Sequence, residues 1–468
     1  MDILFCSAPG TFSSRPTLAP AILKSCAVNA GFDARALDLN IEIHNQICTS
    51  PRQKLLEDFF QLQKIHEDIV NDIGDLVDYC ADRIIQLNPR ILALSLLTQD
   101  SQFFTVWLCY HLKTLRPDLR IVIGGSGIKN FVAESKINFA ELLQSKGYIN
   151  DYINGDGEYS VVEYLRDNLS YPGINSGVWQ PIKDLNALPY PDFSDYDFSL
   201  YAEKGIPICD SRGCVRTCEF CDIIEHWKRY QYRTAENIFD EMLYQIQQHN
   251  ITRFFFYNSL TNGNMKEFQK LLDLMCEYNV QHPTAQISWD GYFIVRNKQQ
   301  HPENFWQKIK LSNGYLQLGI ESVVEKVRVA LGKNFTNEDI DYHLEMAKKY
   351  SVPLLLLLIV GYPTEVQQDF EFTKQWFRDR QHYAGNPIDQ VVFSLSAILP
   401  NTKLERKQEE YNIVRGEIPT VWMTQVNNIS TQDRINYFNE LNSLLKSLNM
   451  CASNGGSSMD ITSAELTA

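Results

Sequence analysis

Apolar residues return along the chain in two alternating rhythms, and the alternation predicts its architecture. Runs of strand length are separated by stretches whose apolar residues recur every three or four positions, the mark of amphipathic helices. A first strand is read at residues 2–6, closed by the turn formers Ser7-Ala8-Pro9-Gly10, then a helix over 17–30, a stop at Gly31 and a strand over 34–39. Leu55, Phe59, Leu62, Ile65, Ile69, Ile73 and Leu76 place one or two helices within 50–88. Strands at 91–97 and 120–124 flank a helix at 103–115, and Tyr152-Ile153 leads into a helix at 160–168. Strand, glycine- or proline-bearing loop and helix in succession are βαβ units, so residues 1–170 are expected to form an open, mostly parallel α/β sheet domain.

Residues 171–200 break the rhythm with Leu188-Pro-Tyr-Pro-Asp-Phe-Ser-Asp-Tyr-Asp197 and read as a linker between domains. The alternation restarts beyond them, with strands placed at 205–209, 253–257, 285–289, 315–320, 354–360 and 391–398 and helices between. That order is expected of a barrel or partial barrel over 201–405. A helical region at 406–450 follows, its clearest helix at 431–450, and the polar residues 451–468 read as a flexible tail.

The chain has 468 residues, room for two or three domains, and its 44% apolar and 21% charged residues are ordinary for a globular protein. It holds no apolar run of about 18 residues, so no membrane is expected. The start, Met1-Asp-Ile-Leu-Phe5, lacks the basic segment and cleavage site of a signal peptide, which points to a cytoplasmic protein. A formal net charge of −14 argues against nucleic acid as a partner. The eleven cysteines are odd in number and scattered except at 209–221, a pattern for thiolate chemistry and against a disulfide framework.

That dense stretch is Cys209-Asp-Ser-Arg-Gly-Cys214-Val-Arg-Thr-Cys218-Glu-Phe-Cys221, directly after the apolar Ile206-Pro207-Ile208. Cys214, Cys218 and Cys221 can turn three thiolates toward one inorganic centre, and a 4Fe-4S cluster so held keeps one iron open. Two other readings stand beside it: three buried loop cysteines, or a zinc site that takes Cys209 as its fourth ligand. Arg212 and Arg216 add cations to the loop; Arg229 and Arg233 read either as further cations or as solvated charges. Thr234 is placed as the N-cap of the next helix.

Cys214, Cys218 and Cys221, with Phe220 before the last, resemble the signature of the radical SAM family. The resemblance implies a partial (β/α)6 barrel, a 4Fe-4S cluster, and S-adenosylmethionine (SAM) bound at the open iron and cleaved reductively to a 5'-deoxyadenosyl radical. Carried onto the strand ends, it implies SAM contacts from Tyr257, Asn258, Ser259 and Asn262, from Ser288, Asp290 and Arg296, from Glu321, and from Gly361. The first domain resembles the Rossmann-like, cobalamin-binding-type domain of one large radical SAM class, on Gly124-Gly125 with Gly127 and on Asp151-Tyr-Ile-Asn-Gly-Asp-Gly-Glu158. Those glycines are read as letting backbone approach a ligand closely. No Asp-x-His-x-x-Gly is present to supply a cobalt-ligating histidine, so cobalamin is a cofactor the resemblance permits without requiring.

Two chemistries within the class fit this chain. Modification of a ribosomally made precursor peptide by radical epimerisation, as in the proteusin epimerases, is the first expectation: an α-hydrogen is removed and a thiol returns one from the opposite face. Cys451 is the expected donor, since Cys276 lies in the apolar helix around Phe268, Leu271, Leu272 and Met275 and reads as core. The alternative is cobalamin-dependent C-methylation; a zinc-stabilised binding module is a third reading. A flavodoxin- or ferredoxin-like reductant is the expected protein partner.

Overall fold

The computed structural model describes residues 1–10, 14–62, 65–129, 138–416, 420–425 and 427–454. The chain divides into two compact units, Met1–Pro207 with Gln245–Ile251, and Ile208–Tyr244 with Thr252–Ala468.

In the first unit, β1 (Ile3–Ser7), β2 (Ala34–Asp38), β3 (Ile91–Ser95), β4 (Arg120–Gly124) and β5 (Asp151–Ile153) form a parallel sheet in the order β2-β1-β3-β4-β5. The expected α/β domain is present, and the order is that of a doubly wound sheet whose direction reverses between β1 and β3. Every residue of β1 is buried because its two faces feed two separate cores. Leu4 and Cys6 join Phe59, Ile73 and Leu108 on one side; Ile3 and Phe5 join Ala27, Val161 and Tyr164 on the other. A period of two thus fills both layers.

Two expectations for this unit change. The stretch 171–200 is not a free connector: Lys24 of the helix Ala19–Asn29 is ion-paired to Asp192 at 2.9 Å and to Asp195 at 2.7 Å, and Asn175 donates to Asp151 at 2.7 Å. Asp192, Asp195 and Asn175 dock the segment onto the sheet domain. At the strand ends, a Cβ on Gly125 would meet the Leu96 carbonyl at 2.3 Å, and one on Gly127 the Thr98 carbonyl at 2.2 Å. The glycines read as leaving room for a ligand instead let the loops after β3 and β4 close on each other.

The second unit is built on β6 (Ile206–Ile208), β7 (Arg253–Phe256), β8 (Ser288–Phe293), β9 (Gly314–Glu321), β10 (Leu354–Val360), β11 (Ile388–Leu395) and β12 (Cys451–Asn454), adjacent in the order β12-β11-β10-β9-β8-β7-β6. The six expected strands are all present. The seventh, β12, falls where the flexible tail was read; residues 455–468 of that tail lie outside the described residues. The region 406–450 holds a two-stranded hairpin, Ile413–Arg415 with Trp422–Thr424, besides its helix Thr431–Ser447.

Burial along β10 alternates strictly. Leu354, Leu356, Leu358 and Val360 are buried, and Leu358 and Val360 line a small cavity with Phe370, Thr373 and Leu441 of the covering helices, whereas Leu355 and Leu357 stay half-buried on the other, inner face. One register row crosses that face: Tyr292, Gln317, Leu355, Gln390 and Cys451 are successive partners from β8 to β12.

Candidate active site

The three signature cysteines lie on the loop that leaves β6, at the edge where the Tyr257 N–H bonds the Ile208 carbonyl at 2.8 Å. Ser211–Arg212 pairs with Gln231–Tyr232 to close the base of the loop. Its far side is held by backbone bonds from Glu219 to the Leu331 carbonyl (3.0 Å) and from Leu404 to the Glu219 carbonyl (2.8 Å), and by Lys403 to the Thr217 carbonyl (2.9 Å).

Burial pushes the Cys221 thiol up to about 12; the Ile223 N–H opposes this, and the Cys218 and Cys214 sulfurs add to it. Cys218 is also raised, by burial first, with Lys333 opposing and Glu321 and Cys214 adding. Thiols in mutual electrostatic reach and costly to ionise alone are suited to a centre that takes up their charge as they bind. Among the described residues no three His, Cys, Asp or Glu side chains are disposed to hold a single metal ion. Cys209 donates its thiol to the Ser211 carbonyl at 3.5 Å. The donor set fits a cluster in which each thiolate takes a different iron.

Glu321 ends β9 at a register shift, with φ of 62°, a left-handed conformation rare outside glycine and asparagine. The bend turns its carboxylate to Lys333 Nζ at 2.9 Å, and Lys333 also reaches the Gly319 carbonyl at 3.3 Å. Both side chains are buried. Burial lowers Lys333, but Glu321 and the Cys218 and Cys214 thiols outweigh it and leave the ammonium stabilised. Lys333 is the residue that sequence reasoning missed. Its one signal is Gly332-Lys333 after the short helix Glu325–Ala330, and nothing in that string tells a buried lysine from a solvated one.

The other expected site residues divide. Arg296 lies past β8, donates to the carbonyls of Asn262 (2.9 Å) and Gly263 (3.4 Å), and keeps a buried Nε without a partner among the described residues. Burial, then Arg216, lowers its basicity, so two guanidinium groups stand near one another. Tyr230 packs its hydroxyl where a side chain on Gly263 would be. An orphaned N–H beside a second cation is a recess suited to a carboxylate.

Tyr257, Asn258 and Ser259 are half-buried just beyond β7, with the Tyr257 ring stacked on Phe255 and Asn258 at 3.4 Å from the Thr261 hydroxyl. Asn262 is fully buried and braces the fold: its amide donates to the Ile294 carbonyl and its oxygen accepts from the Ile294 N–H, each at 3.0 Å. Ser288 and Asp290 are not at the end of β8 that faces the cysteine loop. β8 begins at Ser288, so Ser288 lies at the opposite end of the strand from the cysteine loop, and Asp290 is paired with Arg253 at 2.5 Å and bonded by Gln317 at 2.9 Å. The expected strand at 285–289 ended too early: β8 runs on through the charged Asp290 and Gly291 to Phe293.

Gly361 turns the chain after β10 with φ of 76°. A Cβ there would lie 2.4 Å from Cγ of Arg434, a buried guanidinium held by the Ser396, Thr420 and Trp422 carbonyls and stacked on the Trp422 ring at 3.8 Å. Arg233 is buried and ion-paired to Glu241 at 2.5 Å, not solvated; Arg229 is exposed, and the Thr234 hydroxyl accepts the Asn237 N–H as an N-cap should. Cys276 is half-buried with its thiol on the Lys308 carbonyl at 3.3 Å. Cys451 is exposed at the start of β12, paired in register with Gln390 on the inner face.

Comparison with known proteins agrees with this geometry. Residues 208–377, which include the cysteine loop, match the model of the radical SAM superfamily. An uncharacterised methyltransferase of Pyrococcus horikoshii is 22% identical over 227 residues, which cover 48% of this chain and 47% of that protein; the chain thus matches about half the length of that relative. Among solved structures, the radical SAM methyltransferase TsrM from Kitasatospora setae, with cobalamin and a 4Fe-4S cluster bound, superposes with a TM-score of 0.64 at 14% identity, over 94% of this chain and 85% of its own. The cobalamin-dependent radical SAM enzyme OxsB with aqua-cobalamin gives 0.65 at 15% identity, over 96% and 67%. At these identities the likeness is one of fold, and it extends over both units. No helix among the described residues is long and apolar enough to cross a membrane.

Proposed function

We propose that this protein is a radical SAM enzyme that methylates a carbon of its substrate with the help of cobalamin. The observation that carries the reading is the joining of a parallel sheet in the order β2-β1-β3-β4-β5 to a cysteine-loop sheet in one chain, the arrangement that TsrM and OxsB share with it. The described strand-end residues of the first sheet, Ser7 to Gly10, Leu96 to Asp100 and Gly124 to Lys129, contain no histidine or cysteine, and Leu97 there is 63% exposed. Backbone groups and apolar side chains of these loops would hold a corrinoid by contacts along its edge.

When bound, the cluster supplies the electron that cleaves SAM and cobalamin supplies a carrier for the methyl group. The chain's own residues do the rest. Cys214, Cys218 and Cys221 hold three irons, and Lys333, kept charged by Glu321, offsets their negative charge. Arg296, with Arg216 near it, takes the carboxylate of SAM, and Tyr257, Asn258 and Ser259 begin the loop whose Asn262 and Gly263 carbonyls hold Arg296. The inner face offers Tyr292, Leu355 and Leu357 to the substrate, while Arg253 and Asp290 neutralise each other below. Such a face takes an uncharged carbon skeleton and sheds water from it.

One observation favours a second reading, epimerisation of a precursor peptide. Cys451 stands on the inner-face register row that passes through Tyr292 and Gln317, although as the first residue of β12 it lies toward the end of the sheet away from the cysteine loop. Incubating the reduced holoenzyme with SAM and a candidate peptide in heavy water separates the two. The first reading predicts a product heavier by one methyl group per site, unaffected by Cys451→Ala; a product that gains only one deuterium per site, and loses that gain in Cys451→Ala, overturns it in favour of the second.

A further inference from the structure

Two buried histidines take no part in the chemistry above, yet they end on it. His343, from the helix Asn337–Tyr350, places Nδ1 at 2.8 Å from the Asp339 carbonyl. A carbonyl only accepts, so this nitrogen carries the proton and Nε2 is a bare acceptor. His301 Nδ1 lies 3.0 Å from that acceptor and must donate, which leaves His301 Nε2 bare. The Asn262 amide nitrogen stands 3.3 Å from it and donates. The amide cannot be turned round, because the Ile294 N–H and carbonyl fix its oxygen and nitrogen from the other side. One choice of tautomers therefore satisfies every bond from Asp339 to Asn262, and no other does. Burial lowers both rings, His343 to about 4, in keeping with neutral imidazoles. His301 is locked further by stacking flat on Phe305, with ring centroids 4.4 Å apart.

The chain of bonds stops at a useful place. The Asn262 and Gly263 carbonyls are the acceptors for one nitrogen of Arg296, whose Nε is buried and has no partner among the described residues. A guanidinium near Arg216, with no ion pair to a carboxylate among the described residues, would swing away unless its acceptors were rigid. We propose that His343, His301 and Asn262 form a positioning relay that fixes Arg296 in place for the carboxylate of SAM. This rests on the assignment of Arg296 to SAM made above.

The test is equilibrium binding of SAM to the cluster-loaded chain by calorimetry, with iron content and thermal unfolding followed alongside. His301→Gln keeps an acceptor oxygen for Asn262, His301→Asn keeps only the link to His343, and His301→Leu keeps neither. The relay predicts a Kd about 5- to 20-fold weaker for the Leu and Asn variants and a smaller loss of about two- to threefold for Gln, which keeps the Asn262 bond but not the link to His343, with iron content unchanged. In an Arg296→Leu background, His301→Leu should add less than about twofold, because both changes remove one function. Equal affinity in all three variants, or fully additive losses, would overturn the relay; if His301→Leu does not fold, the Asn and Gln pair decide alone. A wild-type chain that holds its cluster but does not bind SAM would overturn the site assignment itself, whereas wild-type binding with unaltered His301 variants removes only the relay.

Discussion

At the scale of single residues, the cysteine loop was the most legible part of the chain. Spacing and residue type were enough to pick out Cys214, Cys218 and Cys221, because the loop is local and its ligands are close in sequence. Cys218→Ala is expected to abolish retention of iron and sulfide, whereas Cys209→Ala, whose thiol is bonded to a backbone carbonyl, should retain both by elemental analysis. Lys333 could not be read because its partner Glu321 is brought to it by a left-handed bend that no residue type announces. Glu321→Gln leaves that lysine buried and unpaired, and should lower stability by about 3 kcal/mol in denaturant titration. Glu321→Gln with Lys333→Met should regain most of the loss. An equal loss in the double variant would show that the bend, not the pair, carries the energy.

At the scale of elements, strand and helix order was legible because core-facing residues repeat with the period of each element, as in the alternation along β10. Ends were less so. β8 runs through Gly291 to Phe293, and this displaced Ser288 and Asp290 from the strand end where they had been placed. β12, Cys-Ala-Ser-Asn, has no β-branched or aromatic residue and is a strand only through pairing with β11. The turn after β10 makes two predictions. Gly361→Ala meets both a positive φ and the fixed Arg434 side chain, and should cost about 2–4 kcal/mol by thermal or denaturant unfolding.

The second concerns Glu365, which accepts the Gly361 N–H at 2.5 Å. Burial pushes its carboxyl from 4.5 up to about 7, against the lowering by the Gly361 and Tyr362 N–H groups and with Asp369 adding. A raised carboxyl binds its proton more tightly in the native state. Its contribution is full below about pH 4.5 and is lost as the pH rises through about 7, by up to about 3 kcal/mol. Glu365→Gln should flatten the fall in stability between pH 5 and pH 8; the same slope in variant and wild type would contradict it.

At the scale of the whole molecule, the first domain's sheet was legible from its βαβ rhythm, but its reach was not. Residues 171–200 look like a linker by composition and are held by the Lys24, Asp192 and Asp195 ion pairs, which join positions far apart in sequence. Whether that sheet serves a cofactor decides between methyl transfer and hydrogen return, and it is the claim on which the proposed function turns. The measurement is the corrinoid content of the full chain, loaded with cluster and cobalamin and passed through gel filtration, read from its visible spectrum and cobalt content. The account predicts close to one corrinoid per chain. A chain that keeps its iron and cleaves SAM but elutes free of cobalt would contradict it.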